Sequence, residues 1–189
     1  TSRVRLGVLV NNVAVRPAEV IAGATASLDI ASGGRAVLGL GAGAAPGTYF
    51  AAEHDALGNR LEPSLSARHD RLLDTLSRIR AIWNGEHDRD LVFPRPAGDV
   101  PIVVGVNSVA LARRAVAAGC GINVRGSHPR LHEILDCGDP SLGEWSSSVW
   151  FPFDKSLTDP SHPRFTDLEQ RGVQRIVLLT SAPDDVLSA

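Results

Sequence analysis

The sequence predicts an α/β protein of the parallel (β/α)8-barrel type, incomplete, and three observations predict it. Short apolar runs of strand length alternate with helix-period segments along the whole chain, the pattern left by a parallel sheet with right-handed crossovers. Six such runs in 189 residues match the density of a barrel whose eight units fill roughly 250 residues, about 31 each. Glycines also gather at the end of one apolar run, where parallel barrels carry their active sites.

Residues 5–10 (Arg-Leu-Gly-Val-Leu-Val) read as a strand buried on both faces. Arg16-Pro17 then opens a helix, with proline tolerated at its start. Its apolar positions are Val20, Ile21, Ala24 and Leu28, and Ser32-Gly33-Gly34 stops it. Residues 35–40 form the second strand and run into the glycine-rich segment. An irregular stretch through Pro63 comes next, and then the longest helix, roughly residues 66–83. Its apolar face is Leu72, Leu73, Leu76, Ile79, Ile82 and Trp83, and Asn84-Gly85 ends it.

Residues 101–105 are the third strand, and Ser108 caps a helix reaching Ala118. Residues 121–124 are a short fourth strand, 131–135 a helix, 145–151 a fifth strand and 165–171 a helix. Residues 173–179 are the sixth strand. The proline-rich stretch 152–163 reads as a loop. Along the fifth strand Trp145 and Trp150 have opposite parity and are expected on different sides. No composition shift marks a boundary, so residues 1–189 read as one domain. The chain ends just past the sixth strand with no helix to cover it.

Composition excludes several classes of function. The net charge is −2, with 43% hydrophobic and 21% charged residues, which gives no electrostatic reason for a nucleic-acid partner. No apolar run reaches the roughly 18–20 residues of a membrane span. Cys120 and Cys137 lack CxxC spacing and read as free thiols of a cytoplasmic protein.

The strongest chemical signal is Leu38-Gly-Leu-Gly-Ala-Gly43. Glycine at 39, 41 and 43 lets a flat ring or a phosphate approach the backbone closely. Gly39-x-Gly41-x-x-Ala44 also satisfies a loose dinucleotide fingerprint, but that motif needs a helix at once, and Pro46-Gly47 intervenes. Gly105 closes a strand and Ser108 opens a helix whose free amides attract an anion; as a plain alternative, Ser108 is an ordinary cap. Of the six histidines, His128 and His132 share i, i+4 spacing, yet Pro129 intervenes and no HExxH core exists, so a solvated helix end is expected and no metal site. His54 lies in the loop after the glycine-rich strand, near where a substrate would sit. Arg68 and Asp74, on the long helix, are expected in ion pairs.

Ala26-Ser-Leu-Asp-Ile-Ala-Ser-Gly-Gly-Arg35 followed by Leu38-Gly-Leu-Gly-Ala-Gly43 resembles the signature of the bacterial-luciferase-like monooxygenase family. Glu53-His-Asp-Ala-Leu-Gly58, Arg68, Ile82-Trp-Asn-Gly85, Pro101-Ile-Val-Val-Gly105, Gly121-Ile-Asn123 and Gly172-Val-Gln-Arg-Ile-Val-Leu178 continue the family order. The resemblance implies a barrel covering about strands three to eight, with two N-terminal βα units missing from this sequence. It implies FMN or the deazaflavin coenzyme F420 as cofactor, and an oxidoreductase or monooxygenase acting on a small organic substrate, as a homodimer. It also implies a non-prolyl cis peptide near Val10-Asn11-Asn12, against the ring. The cofactor contacts implied are Asn11, Gly39, Gly41, Gly43, Gly105, Asn107, Ser108 and Asn123.

Two departures stand out. The family commonly has Asp-Gly-Trp where this chain has Cys120-Gly-Ile122, which alters one wall of the phosphate pocket. The F420-using sugar-dehydrogenase branch has a glutamate after the Gly-x-Gly loop, where this chain has Ala44. No catalytic acid or base is named by the sequence. The alternatives are a barrel relative without catalysis and a Rossmann-type NAD-binding domain.

Overall fold

A computed structural model describes residues 3–86 and 92–180. His87 lies outside the described residues. Two compact units divide the chain, the first ending at Gly105 and the second starting at Val106.

The first unit holds three strands in chain order, β1 (Leu6–Asn12), β2 (Ala36–Gly41) and β3 (Ile102–Gly105), all parallel. Each begins and ends within two residues of its expected limits. Helix α1 (Ala18–Ser32) follows β1, the short α2 (Ala52–Ala56) follows β2, and α3 (Leu65–Asn84) leads on toward β3. The glycine stops act as anticipated: Gly33 (φ 69°) and Gly85 (φ 80°) adopt the left-handed conformation that ends α1 and α3. Ser64 caps α3 by accepting the Ala67 amide. The segment expected to be irregular contains α2 and a 3-10 turn at Tyr49–Ala51.

Pairing between β1 and β2 is not uniform. Val8 faces Leu38 and Asn11 faces Leu40, so three steps on β1 oppose two on β2. This bulge re-aims the side chains beyond it. In this unit β1 is an edge strand, and its apolar side chains are open: Leu6, Val8 and Leu9 are all exposed.

Helix α1 is rotated from the expected face. Ile21, Ala22, Thr25, Ala26 and Asp29 are buried, whereas Val20 is 57% exposed. The turn is fixed by Asp29, which apolar periodicity cannot report. Its carboxylate accepts the Ala36 amide at 3.2 Å and the Ala97 amide at 2.9 Å, tying α1 to the start of β2 and to the chain before β3. The core of α3 is Leu72, Leu76, Ile79 and Ile82. Trp83 lies at its margin and donates to the Ala22 carbonyl at 3.1 Å.

The second unit also has three parallel strands in chain order, β4 (Gly121–Arg125), β5 (Ser147–Pro152) and β6 (Arg175–Leu179). Helix α4 (Val109–Ala117) precedes β4, α5 (Leu131–Leu135) lies between β4 and β5, and α6 (Pro163–Gln170) between β5 and β6. Trp145 falls in a 3-10 turn before β5 rather than in the strand, so the parity argument does not apply to it. It is held there under the Arg175 guanidinium, 3.8 Å from the ring centre. Both cysteines are free thiols. No helix among the described residues is long and apolar enough to cross a membrane.

Replacing Asp29 with alanine leaves two backbone amides without their acceptor. A loss of about 1–3 kcal/mol is expected, read as a lower urea midpoint with an unchanged slope.

Candidate functional site

In the first unit the site is built on a row of residues at the C-terminal ends of three strands. Register places Asn12 opposite Gly41, and Gly41 opposite Gly105. Four of the predicted contacts lie in this strand-end region: Asn11, Gly39, Gly41 and Gly105. Asn11 donates its side-chain amide to the Gly39 carbonyl at 3.4 Å. A cis peptide bond joins Leu9 to Val10, at the start of the segment where the family resemblance implies one.

The glycines have a closer cause than access for a ligand. A Cβ on Gly41 would collide with Val10 Cγ2, and one on Gly105 would lie 3.2 Å from Val10 Cγ1. A Cβ on Gly39 would run into the Val8 carbonyl oxygen. Side chains at 41 and 105 would therefore displace Val10, which lies over the tips of β2 and β3, and one at 39 would push β1 away from β2.

Gly43 belongs to a second cluster. Its φ is +83°, and a Cβ there would press on Asn12 Oδ1, Ala14 and His54 Nε2. Asn12 is the centre of this cluster. Its Oδ1 accepts the Ala14 amide at 3.0 Å, and its amide nitrogen donates to Glu53 Oε2 at 2.9 Å and approaches His54 Nε2 at 3.0 Å. The amide orientation is fixed by the Ala14 N–H, so His54 Nε2 accepts and the ring proton sits on Nδ1. His54 is 1% exposed, and Nδ1 has no hydrogen-bond partner among the described residues. The histidine expected in a loop near substrate is thus a buried residue of α2.

Arg16 completes the cluster through a 2.7 Å ion pair with Glu53 Oε1. The Asn12 hydrogen bond, followed by the Arg16 contact, holds the Glu53 carboxyl below the usual carboxylate range, with partial burial opposing them. Sequence reading named neither Asn12 nor Glu53 as a site residue; the available signal was the doubled asparagine at a strand end. Arg68, expected in an ion pair, is instead buried and donates to the Glu62 and Pro63 carbonyls at 2.6 and 3.2 Å. An arginine in the first turn of α3 meets the incoming chain's carbonyls before it can meet a carboxylate.

In the second unit Ser108 caps α4, its hydroxyl accepting the Leu111 amide at 3.2 Å. The Val109 and Ala110 amides then have no partner within the helix, and its first turn holds no acidic residue. Asn107 is exposed, and its carbonyl accepts from His128 Nε2 at 3.0 Å. The Arg130 amide donates to His128 Nδ1, which assigns the proton to Nε2. His132 pairs with Asp167 at 3.3 Å, so the two histidines serve different elements. Among the described residues no group of histidine, cysteine or carboxylate side chains is arranged to hold a metal.

Asn123 is buried, and its amide donates to Ser148 Oγ at 2.8 Å. Its carbonyl accepts the Val106 amide at 2.8 Å. A cavity of about 470 Å³ lies elsewhere in this unit, lined by Arg113, Glu133, Asp136 and Cys137 of α4, α5 and the turn after it. None of the predicted site residues lines it.

Comparison with known proteins identifies the family and the fold. A family described as luciferase-like monooxygenase matches residues 1–135. A 5,10-methylenetetrahydromethanopterin reductase of Methanolobus tindarius is 32% identical over 143 residues, which are 71% of this chain and 41% of that protein. An F420-dependent glucose-6-phosphate dehydrogenase of Amycolatopsis mediterranei is 31% identical over 64% of this chain and 38% of its own. The chain therefore spans about two fifths of the length of these relatives.

Among solved structures, an F420-dependent secondary alcohol dehydrogenase in complex with an F420-acetone adduct superposes with TM-score 0.69 at 14% identity. It covers 95% of this chain and 74% of that one. The coenzyme F420 dependent tetrahydromethanopterin reductase of Methanopyrus kandleri gives 0.59 at 20% identity, over 92% and 61%. These likenesses show the fold, an incomplete parallel α/β barrel. They agree with what each unit displays: strand order never reverses in either, and no helix begins directly after the Gly39-x-Gly41 turn, so the dinucleotide-binding alternative is set aside.

The Glu53 carboxyl has a folded-state pKa below its ordinary value of 4.5. Its contribution to stability is present above that value and is lost as pH falls through the depressed one. Glu53→Gln is expected to be slightly less stable than the parent at neutral pH, since the ion pair is well exposed. The difference should shrink as pH falls below 4.5 and through the depressed value, as read from urea midpoints across an acid series.

Proposed function

We propose, from the premise that this chain belongs to the luciferase-like monooxygenase family, that it carries most of a cofactor-dependent oxidoreductase site for a small organic substrate. The cofactor proposed is coenzyme F420 or FMN. The observation that carries the reading is the row Asn12, Gly41, Gly105 at the C-terminal strand ends, the face on which parallel barrels bind ligands. Both curated relatives named above are reductases or dehydrogenases, one of them F420-dependent by name. Residues 1–189 are taken as one luciferase-like domain, working in the cytoplasm as a homodimer. The apolar side chains exposed along β1 favour burial against further protein.

The residues present fit such a cofactor in two respects. In the second unit, the Val109 and Ala110 amides, unpartnered within the helix and with no acidic side chain in the first turn, offer a phosphate two donors and the positive end of α4. In the first unit, Val10 and the Asn11 side chain lie along the strand tips as a wall for a planar ring. Asn107, Ser108 and Asn123 remain the proposed contacts of the second unit, and Asn11, Gly39, Gly41, Gly43 and Gly105 those of the first.

The bound cofactor would supply hydride exchange or oxygen activation. The chain's own part is to bind and orient. Ser108 holds the first turn of α4 open by satisfying Leu111 instead of Val109 or Ala110. Asn12 holds the Gly43 loop against α2 through Glu53 and His54. At the position after the Gly-x-Gly loop Ala44 offers no proton, so sugar dehydrogenation through an acid at that place is not proposed.

The test is direct. Purified chain is titrated with FMN and with F420, and bound cofactor is followed by absorbance and equilibrium dialysis. Uptake of one of them supports the reading, and uptake of neither removes it. Ser108→Asp preserves a good helix cap but sets a negative charge where the phosphate would lie. It is expected to keep the parent's melting temperature and to weaken cofactor uptake roughly tenfold or more.

A further inference from the structure

Arg125 ends β4, the position at which a parallel strand delivers its last side chain to the ligand-binding face. Register pairs it with Trp150 of β5, and its guanidinium lies over that indole, 5.4 Å from the ring centre. Two residues earlier on the same strands, Asn123 pairs with Ser148 and donates to it. Residues two apart on a strand share a face, so the buried Asn123–Ser148 pair and the open Arg125–Trp150 pair form two successive rows. Ile122, Val124 and Val149, of the opposite parity, are fully buried. The polar rows therefore occupy the other face of the sheet.

Two features hold Arg125 in place. The Gly126 amide donates to the Trp150 carbonyl at 2.8 Å, locking the backbone just past it. A Cβ at Gly126 would penetrate the Phe151 ring, so only glycine lets the two strands close there. Two other arginines of this unit are paired with carboxylates: Arg175, at the start of β6, meets Glu144 at 3.2 Å besides lying over Trp145, and Arg171 meets Asp167 and Asp136. Arg125 has no carboxylate partner among the described residues. It is an exposed cation propped on a half-buried aromatic ring, at a strand tip, with no ion pair among the described residues.

We propose that Arg125, positioned by Trp150, binds an oxyanion of the substrate, a carboxylate or a phosphate ester, and so gives the site a preference for anionic substrates. A guanidinium presents its donors in a fork that matches either oxyanion. The indole beneath restricts the side chain and leaves its outer edge free to bind. The inference rests on the reading of the strand tips as a ligand site and adds the substrate class to it.

The probes are benzoate, phenyl phosphate and the uncharged benzyl alcohol, titrated calorimetrically into the purified chain with and without the cofactor it takes up. The two anions are expected to bind more tightly than the alcohol, and the advantage to shrink at high salt. Whichever anion gains more identifies the oxyanion. Arg125→Gln should cost the anions roughly tenfold in affinity and leave the alcohol unchanged, whereas Arg125→Lys should recover part of the loss. Equal affinities for charged and uncharged probes in the parent would overturn the proposal without needing any variant. So would an Arg125→Gln effect confined to cofactor uptake, which would give the guanidinium to the cofactor. If neither FMN nor F420 binds, the oxidoreductase reading fails separately, because the probe comparison still reports on Arg125 in the cofactor-free chain.

Discussion

The first unit depends on how closely β1 approaches β2. A bulge between Val8 and Asn11 lets three steps of one strand face two of the other. This is possible only because Gly39 offers no Cβ to the Val8 carbonyl and Gly7 none to the Val37 carbonyl. The result is that Val10 lies across Gly41 and Gly105, and Asn11 and Asn12 arrive level with the tips of β2 and β3. From there Asn12 organises the chain beyond β1 and β2, since its amide and carbonyl together fix Ala14, Glu53 and His54. A glycine-rich strand end thus serves packing first, and any ligand it meets is met by the residues that packing has positioned.

The second unit reaches a comparable result by other means. Its strand tips carry no glycine cluster but a ladder of polar side chains, Asn123 to Ser148 and Arg125 over Trp150, set by unbroken parallel register. A short helix capped by Ser108 stands before β4, its first two amides without a partner inside the helix. One unit supplies small residues and shape, the other supplies donors and charge. Taken separately, neither unit sets at its strand tips, among the described residues, a side chain that reads as a general acid or base. The buried His54, with Nδ1 unpartnered among the described residues, is the nearest to one, yet its Nε2 is committed to Asn12.

Much of the fold was legible along the chain. Six strands, the long helix, the Ser108 cap and the glycine stops at 33 and 85 all derive from apolar runs, helical period and the special conformations of glycine and serine, which are properties of a few neighbouring residues. The family, too, was legible, because its motifs are local words in a fixed order. What was misjudged depended on distant partners. The buried face of α1 is set by Asp29, whose amide donors lie at Ala36 and Ala97. Trp145 left the strand for a turn beneath Arg175, and His54 went into the interior against Asn12; Arg68 is the local exception, turned to the carbonyls of Glu62 and Pro63 just before its helix.

The sequence by itself determined the six strands, the longer helices, the parallel α/β class and the membership in the luciferase-like monooxygenase family, since these rest on periodicity and on motifs a few residues long. Only the tertiary structure decided that Val10 fills the space the glycines leave, that Asn12 holds the loop beyond β2, and that Arg125 stands over Trp150 with no carboxylate partner among the described residues. Those outcomes depend on register between strands far apart in the chain. A shift of one residue in that register would send each of these side chains to the opposite face of the sheet.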